Sequence, residues 1–243
     1  MESESLKMNK KILLILGALL GINNAYAGGA NAENYFDGPY VQVEAGFGSL
    51  TNKTSISPQV VPLTVSTSFG STNPQVALTA GYSREIVDFV GTDYDINLAA
   101  NVSYNFTNGN SGNQTYTIAG QNLGFNTTTK NILMFSVEPG YYLSHDALIY
   151  AKFGYAQGQT NYQNTITNVN INLGTQSGPL FGFGFKHGFN EVNPNVYWGI
   201  EVYQVNFAAK TASYSSPLLG GTSVNITSQP TMLFGKIHLG YIF

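Results

Sequence analysis

The sequence predicts an all-β chain: eight antiparallel strands in up-and-down order, closed into a membrane-spanning β-barrel. Three observations predict it. Apolar and polar residues alternate with a period of two from residue 38 onward, which a half-buried strand explains and a helix does not. Only 9% of the 243 residues are charged, although the hydrophobic fraction is an ordinary 43%; an average soluble domain carries about 25% charge. The gaps between the alternating segments are long and short in turn. A bilayer-spanning barrel with long loops on one side and tight turns on the other has that rhythm.

Composition removes the competing classes. A disordered chain would be far more charged. A helical membrane protein would show apolar runs of about 20 residues, and none follows residue 22. There is no cysteine, so disulfide scaffolds, thiolate zinc sites and cysteine nucleophiles are excluded. A formal net charge of −3 argues against a nucleic-acid partner.

The first element is an address. Lys10 and Lys11 precede an apolar run from Ile12 to Ile22, followed by Ala25-Tyr26-Ala27. That is the n-region, h-region and small-x-small cleavage site of a secretory signal peptide, and the run is too short to span a bilayer. Residues 1–27 are therefore expected to be removed at Ala25 and Ala27, with residues 1–7 an extension upstream of Met8. Residues 28–37 form a tail, and 38–243 the barrel.

The clearest strand runs from Tyr94 to Phe106. Ile96, Leu98, Ala100, Val102 and Tyr104 lie on one face, with Asp95, Asn97, Asn101, Ser103 and Asn105 on the other. Seven further segments alternate: 41–48, 76–83, 133–141, 149–156, 181–186, 197–203 and 233–243. Between them, residues 49–73, 107–128, 158–178 and 208–229 are long and rich in Asn, Thr, Ser and Gly, whereas 84–93, 144–147 and 188–195 are short. The long ones are expected to be extracellular loops and the short ones periplasmic turns. Fragments within the loops, such as Val61–Val65, Tyr116–Ile118, Ile166–Val169 and Val224–Ile226, are themselves β-like.

Charge placement assigns the two faces. Seven charged residues fall within the strands, namely Glu44, Asp95, Glu138, Lys152, Lys186, Glu201 and Lys236, and all seven lie on the less apolar face. In a barrel that face is the lumen, because a cation facing lipid at the midplane costs about 2–4 kcal/mol. Around a turn at Ser144-His145-Asp146, Glu138 and Lys152 become directly opposed. Lys236 on the last strand reaches Glu44 on the first only if the sheet closes. The expected interior is filled and pinned by Glu/Lys pairs, since buried charges need partners.

These features resemble the small eight-stranded outer-membrane β-barrel family, the group of OmpX, OmpW, the OmpA membrane domain and opacity-type proteins. The resemblance covers residues 38–243. Its sharpest mark is the ending Leu239-Gly240-Tyr241-Ile242-Phe243, which is similar to the family's terminal signal for barrel assembly, with Leu239, Tyr241 and Phe243 in its alternating positions. The resemblance implies the bacterial outer membrane, with its lipid and lipopolysaccharide as surroundings and the assembly machinery and periplasmic chaperones as partners. Family resemblance says little about activity, because fold does not imply function.

Catalytic motifs do not emerge. His145, His187 and His238 share no metal spacing, and none stands two residues from a serine as in outer-membrane lipid A deacylases. No histidine falls at the extracellular rim, where an outer-membrane palmitoyltransferase would need one. Glu138 and Glu201 could form an acid/base pair but read better as lumen struts. No enzyme, cofactor or metal is expected. The expected function is that of a surface-exposed structural or adhesion-type protein whose loops meet a host or phage ligand. The alternatives are a narrow channel for small hydrophobic molecules and a lipid-modifying enzyme.

Overall fold

A computed structural model describes residues 35–58, 64–86, 96–118, 121–165, 169–189, 193–216 and 221–243. The expected signal peptide with Ala25 and Ala27, residues 28–34, Tyr94 and Asp95 lie outside the described residues. The strands are β1 (Gly38–Pro58), β2 (Val65–Ile86), β3 (Ile96–Asn105), β4 (Gly109–Asn110), β5 (Gln114–Ile118), β6 (Gln121–Ser144), β7 (Ala147–Asn164), β8 (Asn170–Phe189), β9 (Asn193–Asn206), β10 (Lys210–Ser216) and β11 (Thr222–Ile242). Eight of them form a closed ring in the order β1-β2-β3-β6-β7-β8-β9-β11, with β11 returning to β1. Every ladder is antiparallel. The closing ladder is long, running from Tyr40↔Ile242 to Pro58↔Val224.

One side-chain alternation sets the solvent. On β1, Val43 and Phe47 point outward and are exposed, while Gln42 and Glu44 point inward and are buried. On β11, Leu233, Ile237, Leu239 and Tyr241 are outward and Lys236 and His238 inward. The outward apolar residues of β11 lie within a stretch of nine residues, from Leu233 to Tyr241. At about 3.4 Å per residue and about 45° tilt they span about 20 Å, close to the apolar band of a transmembrane barrel. Tyr82, Tyr141, Trp198 and Tyr241 edge this belt near the chain termini; Phe47, Tyr104, Phe106 and Tyr155 edge it at the far end. Aromatic rings with a polar edge suit such an interface.

The strands do not stop at the belt. Segments 49–73 and 208–229, read from sequence as loops, are largely strand, as β1 runs to Pro58 and β11 starts at Thr222. Past Phe47 the outward positions of β1 become Ser49, Thr51, Lys53 and Ser55, and the inward ones become Leu50, Asn52, Thr54 and Ile56. Water replaces lipid outside, so polar residues turn outward and apolar ones inward. The alternation persists with its phase reversed, which reads as a polar loop if the lipid phase is assumed throughout. A bulge at Asn131, with φ of 55°, adds one residue to β6 at this level.

Beyond Asn105 of β3 and Asn206 of β9 the ring divides. One sheet continues as β10-β11-β1-β2, and the other as β7 with β8 on one side and β6, carrying β4 and β5, on the other. Ile56, Val224 and Ile226 of the first sheet pack against Phe125, Tyr162, Ile171 and Leu173 of the second. The far end is thus a small sandwich standing on the barrel.

Inward glycines make room for rings. A Cβ at Gly184 would stand 2.3 Å from the Tyr150 ring, and one at Gly240 would stand 2.1 Å from Tyr197, whereas Gly235, facing outward, has nothing within 4 Å. Gly184→Ala should therefore displace Tyr150 and cost about 1–3 kcal/mol by overpacking, while Gly235→Ala should be neutral or slightly stabilising. Urea unfolding of both variants in detergent, read by gel mobility of unheated samples, checks the contrast.

Candidate functional site

The lumen is the candidate site, and it is built in layers. Nearest the termini, Phe36 turns back into the mouth and is buried with Tyr40, Ala99, Leu148, Tyr197 and Ile242. Its ring meets Tyr197 edge-on at 5.7 Å and stacks on Tyr142 at 6.3 Å. Asn97 Nδ2 donates to the Phe36 carbonyl at 2.9 Å. Tyr35 hydrogen-bonds through its hydroxyl to the Asn193 carbonyl at 3.1 Å and to the Val196 carbonyl. The end of the tail stoppers the barrel.

Above it lies the charge layer. Lys236 Nζ donates to Glu44 Oε2 at 2.8 Å, and Glu44 also accepts from Gln42 Nε2 at 2.9 Å and from the Thr79 hydroxyl. Lys152 sits between two acids, 2.7 Å from Glu201 Oε2 and 3.3 Å from Glu138 Oε1. Lys186 reaches Glu138 Oε2 at 2.8 Å, and Asn101 Nδ2 donates to Glu138 Oε1 at 2.8 Å. Tyr150 donates to Glu201 at 3.1 Å. Lys186 lies 4.6 Å from the Tyr150 ring centroid, and Lys152 lies 5.0 Å from that of Tyr203, so rings solvate the cations where water cannot. All six charged residues are buried. The turn closes through Ser144↔Ala147, and Val137↔Phe153 with Gly140↔Tyr150 set Glu138 opposite Lys152.

The third layer is apolar. Leu50, Ile132, Met134, Ala156, Leu180, Val205, Phe207, Met232 and Phe234 fill the section above the charges, and solvent reaches essentially none of them. The sequence reading missed this layer, because it assigned the lumen to the less apolar face of every strand and filled it with Glu/Lys pairs. Its signal is the phase reversal seen at Leu50 on β1 and at Met232 and Phe234 on β11. Over it, Asn52 donates to Thr54 at 2.9 Å and Thr127 at 2.8 Å and accepts from Ser228 at 2.8 Å, tying both sheets together.

No protein-family model matches the sequence, and no curated protein matches it. Among solved structures, the chain is similar to the outer membrane protein OprG from Pseudomonas aeruginosa, at 12% identity over 87% of this chain and 99% of that one, with a TM-score of 0.51. The chain has the fold of the small outer-membrane β-barrels. Weaker likenesses include Neisserial surface protein A, at 13% identity over 85% of this chain and 98% of that one, TM-score 0.40. Another is the outer membrane protease OmpT from Escherichia coli, at 10% identity over 86% and 97%, TM-score 0.46.

The remaining sequence-selected residues of this barrel sit apart from the charge layer or at its edge. Leu239 and Tyr241 face outward on β11, and the Phe243 amide donates to the Pro39 carbonyl at 2.9 Å. His145 is in the turn, and His187 lies beside Trp198, 3.7 Å from Asp146. The Ser144 hydroxyl, donating at 2.6 Å, holds the Asp146 carboxyl below its usual range. His238 is buried against Tyr197, 6.0 Å between ring centroids. Among the described residues, no group of three His, Cys, Asp or Glu could hold a metal ion.

Removing one partner of a buried ion pair leaves the other uncompensated, at about 3–5 kcal/mol. Lys152→Met should therefore destabilise more than Lys236→Met, because it leaves Glu201 without its cation and also takes one of two cations from Glu138. Adding Glu44→Gln to Lys236→Met should recover most of that loss. Denaturant midpoints of the three variants in detergent test the order, and a neutral Lys236→Met would dismiss the pairing.

Proposed function

We propose that the protein is a surface-exposed structural and interaction protein of the bacterial outer membrane, with its lumen closed and its far-end sandwich displayed outside the cell. The observation that carries this reading is the apolar layer from Leu50 to Phe234. It fills the ring directly above the Glu/Lys layer, so the chain has an obstructed axis, while its strands continue well past the belt. A protein built to conduct would invest its lumen differently. One built to hold a rigid sheet above the membrane needs a packed stem, and the layers provide one.

The same packing argues against the other two readings. A small hydrophobic molecule would have to displace Phe234, Met232 and Leu50 together, which cores resist at native density. An acid/base pair of Glu138 and Glu201 would need a substrate to enter, yet both carboxylates are buried and share Lys152. The far-end strands offer backbone edges at β2 and β10 and side-chain faces of Ser, Thr and Asn, the kind of surface that adds a partner strand or meets a host or phage ligand. The termini end faces the periplasm, where Leu239, Tyr241 and Phe243 would be read during assembly.

Orientation is directly testable in a chain without cysteine. Ser215→Cys on β10 should react with a membrane-impermeant maleimide on intact cells, and Asn193→Cys should react only after the envelope is opened. Labelling of Asn193→Cys alone on intact cells would reverse the reading. Purified protein in planar bilayers should give no steady single-channel current.

A further inference from the structure

The far end differs from the rest of the chain in charge. Residues 45–84, 96–137, 147–190 and 202–243 contain no Asp or Glu. Each stretch begins on a strand running away from the termini and ends on one running back. Every acid after the tail is therefore either in the charge layer (Glu44, Glu138, Glu201) or within residues 85–95, at Asp146 or at Glu191. The far end carries Lys53, Lys130 and Lys210 and no acid. Among the described residues, none of these three lysines has a carboxylate partner. Lys210 donates instead to the Thr175 carbonyl at 3.0 Å.

Lys53 stands in a hollow of about 460 Å³ on the outward face of the β10-β11-β1-β2 sheet. Ser55, Ser66, Ser68, Thr227 and Gln229 surround it. Pairing places Ser68 and Gln229 on either side of Lys53 in one row. Thr227 shares a hydrogen bond of 2.7 Å with Thr211, and Ser66 donates to Ser55 at 3.5 Å. Lys53 lies six residues beyond Phe47, the last outward apolar residue of β1, and Gln229 four beyond Leu233. That is about 10–14 Å above the belt at strand rise and tilt, higher than the roughly 5–8 Å of a phospholipid headgroup zone. The hollow also opens sideways, parallel to the membrane plane. It faces neighbours in the same leaflet and not a second cell.

A bare ammonium set among hydroxyl and amide groups, at that height and facing sideways, fits one class of ligand. We propose that the Lys53 hollow binds an acidic sugar, carrying carboxylate or phosphate, of a glycolipid in the outer leaflet beside the barrel. Lys53 supplies the charge, and Ser55, Ser66, Ser68, Thr227 and Gln229 supply hydrogen bonds to the ring hydroxyls. The absence of acids from the whole far end leaves nothing to repel such a sugar. This inference rests on the outward orientation proposed above. The intact-cell labelling reads that orientation without any sugar, so failure of one is distinguishable from failure of the other.

The test uses the full-length processed protein in detergent with lipopolysaccharide truncated to lipid A and its acidic inner sugars, and with lipid A lacking those sugars. Lys53→Glu should weaken binding of the sugar-bearing form about tenfold or more, and Lys53→Arg should stay within about twofold of the parent. Thr227→Val should weaken it severalfold, and binding of the parent should fall as salt rises. Gel mobility of unheated samples establishes that each variant is folded, and Lys53→Gln serves in place of Lys53→Glu if the latter does not fold. Unchanged affinity of the folded Lys53 variant overturns the proposal. So does equal affinity of the parent for lipid A without the sugars.

Discussion

The ladder between β1 and β11 is the constraint from which the rest of the structure follows. In hydrocarbon each unpaired backbone group costs several kcal/mol, so a sheet there must have no edge. Pairing Tyr40↔Ile242 through Pro58↔Val224 joins first strand to last and removes both edges at once. A ring of eight strands encloses a bore that side chains can fill. Closure therefore determines that inward residues meet each other across the barrel. Lys236 can meet Glu44 only because their strands are neighbours in that ring.

The contents of the bore follow from what each layer can satisfy. Six buried charges of balanced sign form a chain of four, Glu201–Lys152–Glu138–Lys186, and a separate pair, Lys236–Glu44, with aromatic rings over the ammonium groups, and inward glycines give those rings their places. The apolar layer above excludes water from the charges, which strengthens their attraction and makes any unpaired member costly. Phe36 and Tyr35 close the other side. The result is a stem that resists deformation along the axis where a sheet projects from it.

Outside the belt the same strands obey a different solvent. Lipid selects Val43, Phe47, Phe183 and Ile237 for the outer face, and water selects Ser55, Ser66 and Thr227. The ring can divide there because water satisfies the edges that lipid could not. Division frees one sheet to carry a polar face with a single exposed lysine, and the other to cover the apolar filling of the sandwich. Charge is sorted along the same axis: acids near the termini, balanced pairs in the stem, and lysines alone beyond it.

The alternation in the sequence determines the closed antiparallel fold and the outward phase of every belt strand, because a period of two leaves each residue only two faces to choose between. Opposition of Glu138 and Lys152 is equally legible, since a short turn sets register locally. Tertiary structure alone decides that Lys152 also takes Glu201 and that Lys186 takes Glu138, because strand stagger around a closed ring brings together residues far apart in the chain. It alone decides that the presumed loops are strands forming a sandwich, and that Leu50, Met232 and Phe234 block the bore. Those outcomes depend on where lipid gives way to water, and a sequence records that boundary only as a reversal of phase that the folded chain makes visible.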